Sequence, residues 1–367
     1  MKITRITVWD VPLTSHETYY MAAGKTCDTT LSVVLRLDTD AGLSGWGEVC
    51  PIPHYLPAYA RGVIPALEEL APVLIGADPV GPEAVMERLN DHLIGHGYAK
   101  SAIDTALWDL TAQVAGLPLF ALLGGRAVPD MPLYHSLTCI ATDDMARMAR
   151  DAFDAGMRQF QVKLGADRDW QADVARLTRV REAVGPGPLV YGDWNCGADA
   201  LTAIRVGRAV AHLDVMLEQP CATIEECAHV RAATGLPMKL DESAHDMPSI
   251  MAGHRAGCMD VAALKLSKMG GLSAMRRIRD LCLALGTRMC IEDTWGSDVT
   301  TAALLHLAAS TPARGILNTC DLSHYVGPRL DPAAPARKNG RIAPPEGPGL
   351  GVVPDAAALG QARTILD

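Results

Sequence analysis

The sequence lacks three features: an excess of basic residues, a long apolar run and a signal peptide. It has 33 lysines and arginines against 42 aspartates and glutamates, which gives a net charge of −9, so no nucleic-acid partner is expected. No run of about 18 or more apolar residues occurs, so no membrane span is expected. The N-terminus, MKITRITVWDVPL, alternates like a strand and has no apolar core or cleavage site typical of a signal peptide.

The ten cysteines show neither a C-x-x-C motif nor the spacing of a disulfide framework. They lie scattered in apolar segments, which predicts reduced, small core residues in a cytoplasmic protein. With 49% hydrophobic and 20% charged residues, the composition is that of a soluble globular protein. A length of 367 residues predicts one large domain and a smaller one.

The N-terminal third predicts a separate α+β domain. Residues 1–60 alternate like β-hairpins, whereas residues 62–122 have a helical pattern, with Ile103, Leu107, Leu110 and Val114 on one stripe. The stretch LLGG at 122–125 marks a boundary, so we expect a capping domain over residues 1–125. The Pro- and Gly-rich tail, 336–367, reads as an extended segment that can return to this domain.

Residues 126–335 predict a modified (β/α)₈ barrel, the TIM-barrel type of α/β fold. Short apolar runs that end in a polar residue recur with the spacing of one strand plus one helix. The eight runs are PLYHSL, FQVKLG, LVYGDWN, VMLEQP, MKLDES, VAALKLSK, RMCIEDTWG and GILNTCD. An open doubly wound sheet is the alternative, but its glycine-rich phosphate loop is absent.

Three acidic residues end consecutive predicted strands: Asp193, Glu218 and Asp241. Neighbouring strands lie about 4.8 Å apart, and functional groups of such barrels collect at the carboxyl ends of the strands. Three carboxylates can therefore converge on one hard cation, for which Mg²⁺ is the best candidate. Each residue alone could equally cap the helix that follows it.

Two lysines flank these acidic strands. Lys163, in FQVKLG, ends the second predicted strand, and Lys265 ends the sixth. These strands are four steps apart in a closed eight-stranded barrel, so the two amines would meet a substrate from opposite faces. Such a pair suits removal of a proton α to a carboxylate, since a dication and a second cation nearby lower the pKa of a lysine.

These stretches, together with GHGYAKSAIDTALWDL, LLGGR and LKLSKMGG, resemble the mandelate racemase/muconate lactonizing enzyme family of the enolase superfamily over nearly the whole chain. The resemblance implies one Mg²⁺ per subunit, held by Asp193, Glu218 and Asp241, with Lys163 and Lys265 as acid/base residues. It also implies a small-molecule carboxylate substrate and suggests a homo-oligomer.

The sequence departs from the family at three places. The usual K-x-K on the second strand is Gln161-Val-Lys163, and the D-x-D that dipeptide epimerases use would fall at Asp321-Leu-Ser323, with one acid only. No equivalent of the His–Asp pair of mandelate racemases is found. Dipeptides and mandelate-type substrates are therefore disfavoured.

The substrate prediction comes from likeness to the proline-betaine and hydroxyproline-betaine epimerases and the cis-3-hydroxyproline dehydratases of this family. Tyr55 matches an aromatic residue of the betaine cage, but the partner tryptophan is replaced by Leu322. Trp295, Tyr55, Asp293 and Glu292 are candidates to hold a substrate ammonium. Loop packing explains the two aromatic residues equally well, and the acids could instead support Lys265 or the metal.

The leading hypothesis is therefore a Mg²⁺-dependent racemase or epimerase of a small cyclic amino acid or its betaine. The alternative is a dehydratase with the same residues, in which one lysine removes the α-proton and a β-hydroxyl leaves in a syn elimination.

Overall fold

The structure is a computed structural model that describes residues 1–53, 56–167 and 169–367. Its strands are β1 (Ile3–Tyr20), β2 (Thr26–Thr39), β3 (Ser44–Val49), β4 (Met131–Pro132), β5 (His135–Leu137), β6 (Gln159–Lys163), β7 (Leu189–Asp193), β8 (Val215–Glu218), β9 (Met238–Leu240), β10 (Val261–Lys265), β11 (Arg288–Glu292), β12 (Ile316–Thr319), β13 (Val326–Gly327), β14 (Arg341–Ile342) and β15 (Thr364–Leu366).

The α-helices are α1 (Val63–Leu74), α2 (Pro82–His92), α3 (Gly97–Ala115), α4 (Leu119–Leu122), α5 (Thr142–Asp154), α6 (Trp170–Val184), α7 (Ala200–Ala209), α8 (Ile224–Thr234), α9 (Met247–Arg255), α10 (Leu266–Met269), α11 (Leu272–Leu285), α12 (Asp298–Ala309) and α13 (Ala356–Leu359). None of those that the structure describes is both long and apolar enough to cross a bilayer.

The N-terminal strands form an antiparallel sheet in the order β13-β1-β2-β3, and β15 pairs with the free side of β1. Two of its strands, β13 and β15, therefore come from the C-terminal part of the chain. Helix α3 packs closely on β3, where a Cβ atom at Gly47 would lie 1.9 Å from the carbonyl oxygen of Ala102. Only glycine permits this approach.

The stripe predicted on α3 is confirmed at three of its four positions. Ile103, Leu107 and Leu110 are fully buried, whereas Val114 is half exposed because it lies in the last turn of the helix. Polar residues of α3, Asp104 among them, are buried too, since the helix is covered on several sides.

The predicted barrel is confirmed. Strands β5 to β12 form one parallel sheet in chain order, and each of the eight predicted runs coincides with one of them. A parallel bridge between Leu133 and Thr319 connects its two ends. Helices follow the first seven strands, and a 3₁₀ turn, Leu322–His324, follows β12.

All ten cysteines are free, and nine of them are buried. The exception, Cys196, is partly exposed in the loop after β7. The prediction of unpaired cysteines that fill the core is confirmed for these nine residues.

Candidate active site

The barrel brings the three predicted acidic residues to one end of the sheet. Asp193 and Glu218 end β7 and β8 and stand in register with each other, and Asp241 directly follows β9. All three are buried, with at most 1% of their surface exposed. They can be held there because parallel strands end at the same edge and cationic side chains surround them.

The two predicted lysines lie on either side of this acidic row. Lys163 ends β6, and its Nζ atom lies 2.5 Å from Asp193 Oδ2 and 3.1 Å from Asn195 Oδ1. Lys265 ends β10, with Nζ 2.5 Å from Asp241 Oδ2. Four steps in the strand order separate β6 from β10, so the amines approach the site from opposite directions.

A fourth buried carboxylate, Glu292, ends β11 in register with Lys265. Oxygens of Glu218, Asp241 and Glu292 lie within 4.8 Å of one another, a spacing that could hold a metal ion. This group contains Glu292 in place of Asp193 of the predicted trio. Asp193 accepts hydrogen bonds from Lys163 and Asn195. Glu292 accepts a hydrogen bond of 2.6 Å from Tyr134 Oη.

Lys239 was missed by the sequence analysis. It is completely buried, with Nζ 2.9 Å from Glu218 Oε1 and 3.4 Å from Glu292 Oε1. The rings of Tyr134 and Tyr191 lie 5.4 and 5.1 Å from its Nζ atom. Its position two residues before Asp241 puts it on the same inward face of β9, which is the signal that could have found it.

Lys268 is a second cation that the sequence analysis did not assign. Its Nζ atom lies 3.0 Å from Asp241 Oδ1 and also donates a 2.5 Å hydrogen bond to the Asp241 carbonyl oxygen. Burial opposes ionisation of Asp241, but Lys265 and Lys268 outweigh it and hold its pKa well below the ordinary value. Likewise, burial alone would lower the pKa of Lys265, but Asp241 and Glu292 raise it.

The carboxylates are too crowded for all of them to ionise easily. Burial, followed by the charge of Asp193, raises the pKa of Glu218 to about 8. Burial and the charge of Asp241 raise the pKa of Glu242, next along the chain, to about 7. Within the described residues, Glu242 Oε2 accepts no hydrogen bond, and Glu218 Oε1 has only the ion pair with Lys239. A buried set of oxygens with surplus negative charge fits a hard divalent cation such as Mg²⁺.

Gln161, where the family has a lysine, links the acidic row to the N-terminal sheet. Its Nε2 atom donates to Glu218 Oε2 at 2.8 Å, and its Oε1 atom accepts from Ser136 Oγ at 2.5 Å. Ser136 in turn shares a hydrogen bond with Tyr19 Oη of β1. The amide thus orients Glu218 without adding charge.

A cavity lies over the lysines and is closed by residues of both sheets. The N-terminal part contributes Tyr19, Met21, Cys27 and Ile52, and the barrel contributes Lys163, Lys265, Glu292, Asp293, Thr294, Trp295, Leu322 and Tyr325 among others. The Trp295 ring lies 5.7 Å from that of Tyr19 and 6.3 Å from that of Tyr325. The cavity is therefore lined by aromatic rings as well as by charged side chains, and Lys163 Nζ lies 6.0 Å from the centre of the Tyr19 ring.

Most of the predicted substrate contacts line this cavity, but their partners differ. Asp293 accepts hydrogen bonds from Ser267 Oγ at 2.5 Å and Ser267 N at 3.0 Å, and burial raises its pKa to about 6. Glu292 and Trp295 also line the cavity. Tyr55 lies outside the described residues.

Asp321, the single acid of the incomplete D-x-D motif, is already neutralised. Arg337 donates to both of its oxygens, at 2.7 and 2.5 Å. The carboxylate is therefore engaged by the protein itself, and the prediction that dipeptides are disfavoured stays a prediction. Leu322, one residue later, lines the cavity as an apolar side chain.

This barrel, with acidic residues and lysines at its strand ends, belongs to the enolase superfamily, in the mandelate racemase/muconate lactonizing enzyme family. Residues 3–124 match the family described as "Mandelate racemase / muconate lactonizing enzyme, N-terminal domain", and residues 144–358 match "Enolase C-terminal domain-like". The protein is accordingly an isomerase or a lyase.

Individual relatives are similar over most of their length. The chain is 40% identical over 363 residues to a cis-3-hydroxy-L-proline dehydratase of Roseibium aggregatum. The aligned region covers 98% of each protein. It is 30% identical to an L-Ala-D/L-Glu epimerase of Bacillus subtilis, over 84% of this chain and 86% of that one. The fold also matches a crystal structure of an enolase-superfamily member from Roseovarius nubinhibens that was complexed with magnesium. The two structures superpose with a TM-score of 0.94 at 36% sequence identity, and the match covers 100% of this chain and 99% of that one.

Proposed function

We propose that the protein is a Mg²⁺-dependent dehydratase that removes water from a cis-3-hydroxyproline-type amino acid. The observation that carries the proposal is the pair of buried amines, Lys163 and Lys265, on strands four steps apart at one cavity. The likeness to a cis-3-hydroxy-L-proline dehydratase over nearly the whole chain supports the choice of substrate.

The stereochemistry of this substrate needs two groups on opposite faces. In cis-3-hydroxyproline the hydroxyl and the carboxylate share one face of the ring, so the Cα hydrogen lies on the other face. The proton and the hydroxyl must therefore leave from opposite faces, and the syn elimination expected from the sequence is wrong for this substrate. In this proposal Lys163 serves one face of the ring and Lys265 the other.

The elimination balances with these two amines alone. One lysine, neutral, accepts the Cα proton, and the electrons of that bond form the Cα–Cβ double bond. The Cβ–O bond breaks with its electron pair on oxygen, and the other lysine, as an ammonium, donates a proton so that water leaves. The enamine that remains tautomerises to a cyclic imine.

We propose Asp193, Glu218 and Asp241 as the residues that hold Mg²⁺. When bound, the ion withdraws charge from the substrate carboxylate and so makes the Cα hydrogen more acidic. Glu292 is the competing ligand on distance alone, but Asp193, Glu218 and Asp241 come from the consecutive strands β7, β8 and β9, whereas Glu292 lies on β11, two strands beyond Asp241. In the proposal Glu292 therefore supports the site from one side and does not bind the ion.

The cavity favours a ring with a secondary amine over a quaternary ammonium. Leu322 stands where the betaine cage would need a second aromatic ring, so a cation–π contact of about 0.5–2 kcal/mol is lost there. Trp295, Tyr19 and Tyr325 instead offer an apolar wall to the ring carbons.

A second function, epimerisation at Cα of a cyclic amino acid or its betaine, uses the same pair of lysines. Two amines on opposite faces allow one to remove the proton and the other to return it. The named epimerases among the relatives support this alternative. Dehydration requires a hydroxyl on Cβ that can leave, whereas epimerisation requires only that a proton return to Cα from the other face.

Incubation of the Mg²⁺-loaded protein with cis-3-hydroxy-L-proline, followed by proton NMR, tests the proposal. We expect loss of the Cβ hydroxyl and appearance of a cyclic imine that a carbonyl reagent traps after hydrolysis. Inversion at Cα with the hydroxyl retained, or turnover of proline betaine only, would make the protein an epimerase instead. No change in any of these compounds would reject both functions.

A further inference from the structure

The loop that follows β11 carries two buried polar atoms that the protein satisfies poorly. Trp295 Nε1, in a side chain that is 9% exposed, has no hydrogen-bond partner in the described part of the chain, and Thr294 Oγ1, in a side chain that is 8% exposed, has only the neighbouring hydroxyl of Tyr98. Both residues line the cavity over the two lysines. A buried polar group with unused hydrogen-bonding capacity is unfavourable, so such groups call for a ligand.

Other polar side chains of this cavity already bond to the protein. Their pairs are Ser136 with Gln161, Gln161 with Glu218, Lys163 with Asp193, Lys265 with Asp241, Glu292 with Tyr134, and Asp293 with Ser267. Trp295 differs from these lining residues because its N–H group has no partner, and Thr294 differs because its hydroxyl can make a second hydrogen bond besides the contact with Tyr98.

The chemistry of the two groups limits what they can hold. An indole N–H only donates a hydrogen bond, whereas a threonine hydroxyl both donates and accepts. A protonated ring nitrogen also only donates, so it cannot satisfy Trp295 Nε1. In the proposed function the substrate carboxylate lies at the acidic row, which leaves the ring hydroxyl as the acceptor for Trp295.

We propose that Thr294 and Trp295 form a binding site for the ring hydroxyl of the substrate, and that they select for a hydroxylated ring. The inference rests on the proposed dehydratase function and adds to it the residues that recognise the leaving group. Donors at this oxygen also stabilise the charge that develops as the Cβ–O bond breaks. Trp295 is thereby assigned through its N–H group, in place of the ammonium contact expected from the sequence.

The test compares a hydroxylated substrate with its deoxy analogue. The variants are Trp295→Phe, which removes the N–H group and keeps an aromatic ring, and Thr294→Val, which removes the hydroxyl and keeps the shape. For each, kcat and KM are measured with cis-3-hydroxy-L-proline, and the inhibition constant is measured with L-proline. Thr294→Ser, which retains the hydroxyl, is the matched control.

We expect Trp295→Phe and Thr294→Val to lower kcat/KM for the hydroxylated substrate about 10- to 100-fold, because a site built for a hydroxyl depends on its hydrogen bonds. The inhibition constant of L-proline should change less than about twofold, and Thr294→Ser, which keeps the hydroxyl, should retain more of kcat/KM than Thr294→Val. A change in the packing of the cavity would instead weaken the binding of both compounds.

Equal losses for the hydroxylated substrate and for L-proline would overturn the inference, since the two residues would then contact the part common to both. Unchanged kinetics in both variants would overturn it as well. These outcomes are distinct from failure of the proposed function, in which the wild-type protein itself leaves cis-3-hydroxy-L-proline unchanged.

Discussion

Lys239 Nζ lies 2.9 Å from Glu218 Oε1 in the interior of the barrel, and both side chains are fully buried. A charge in this position is costly unless it is paired, and here Glu218 and Glu292 both supply the opposite charge. The ion pair therefore connects the packed interior of the barrel to the proposed metal site above it.

Lys239→Met should destabilise the protein by about 3–5 kcal/mol, because it leaves two buried carboxylates without their shared cation. The measurement is urea unfolding in the presence of a chelator. Adding Glu292→Gln should recover part of the loss, since one of the two unpaired charges is then removed. The two residues would not be coupled if Glu292→Gln lowered the free energy of unfolding as much in the Lys239→Met variant as it does in the wild type.

The proposed metal ligands can be separated from Glu292 by binding measurements. Asp193→Asn should weaken Mg²⁺ binding by at least about tenfold, because it removes one of three charged ligands. Glu292→Gln should weaken it less, since that carboxylate already contacts Tyr134 and Lys239. Isothermal titration of the chelator-treated proteins with Mg²⁺ checks both. The reverse order would make Glu218, Asp241 and Glu292 the ligand set.

Much of the fold followed from the sequence because barrel strands are regular. A strand that ends in a polar residue, such as Lys163 or Asp193, is followed by a helix at a constant interval, so periodicity identifies the eight strands. The row of acids and its two lysines came from the same regularity. The domain boundary at residue 125, the roles of the site residues, the homo-oligomer and the cytoplasmic location stay predictions.

Other contacts could not be read from the sequence, because they join segments that are far apart along the chain. Lys239 is a lysine in an apolar run, and only the closed barrel shows that it faces Glu218 and Glu292. The pairing of Asp321 with Arg337 depends on where the C-terminal segment returns. Tertiary contacts of this kind decide whether an acid is free to bind a substrate.

Glu48 on β3 should matter for substrate binding although it lies outside the cavity lining. Its carboxylate accepts hydrogen bonds of 2.6–2.9 Å from Ser32, Ser297 and Thr300, and so fixes the start of α12 directly after the loop with Thr294 and Trp295. Glu48→Gln replaces an acceptor oxygen with a donor and should cost about 1–3 kcal/mol of stability.

In kinetic assays at a temperature where Glu48→Gln stays folded, KM should rise more than kcat falls, because the loop position changes and the lysines do not. Asp109→Asn is the matched control. Asp109 is a buried carboxylate that accepts from Trp46 N and Leu350 N, so its variant should lose stability with KM unchanged. Equal KM values in both variants would show that Glu48 has only a structural role.

Asp104 should make the stability of the protein depend on pH. Burial raises its pKa from 3.8 to about 7, although Ser273 donates two hydrogen bonds to it. Folding therefore favours the protonated acid, and the stability present below pH 4 is lost as the pH rises through about 7, a change of about 4 kcal/mol. The free energy of unfolding is measured for wild type and Asp104→Asn from pH 4 to 8 in the presence of chelator. The difference between the two proteins should change by about 4 kcal/mol over this range. Parallel curves would contradict the raised pKa.

The two lysines should be separable by isotope exchange. Lys163→Ala or Lys265→Ala should each lower dehydration of cis-3-hydroxy-L-proline by at least about 100-fold, because one variant lacks the base and the other lacks the acid. The variant that keeps the base can still remove the Cα proton. In D₂O it should therefore exchange that proton for deuterium without inversion and with slow loss of the hydroxyl, whereas the other variant should show neither reaction. Arginine replacements at the same positions keep the positive charge without a usable base and serve as controls for the ion pairs with Asp193 and Asp241. If both alanine variants exchanged the Cα proton of this one enantiomer at the wild-type rate, neither lysine would be the base, and the assignment of one amine to each face would fail.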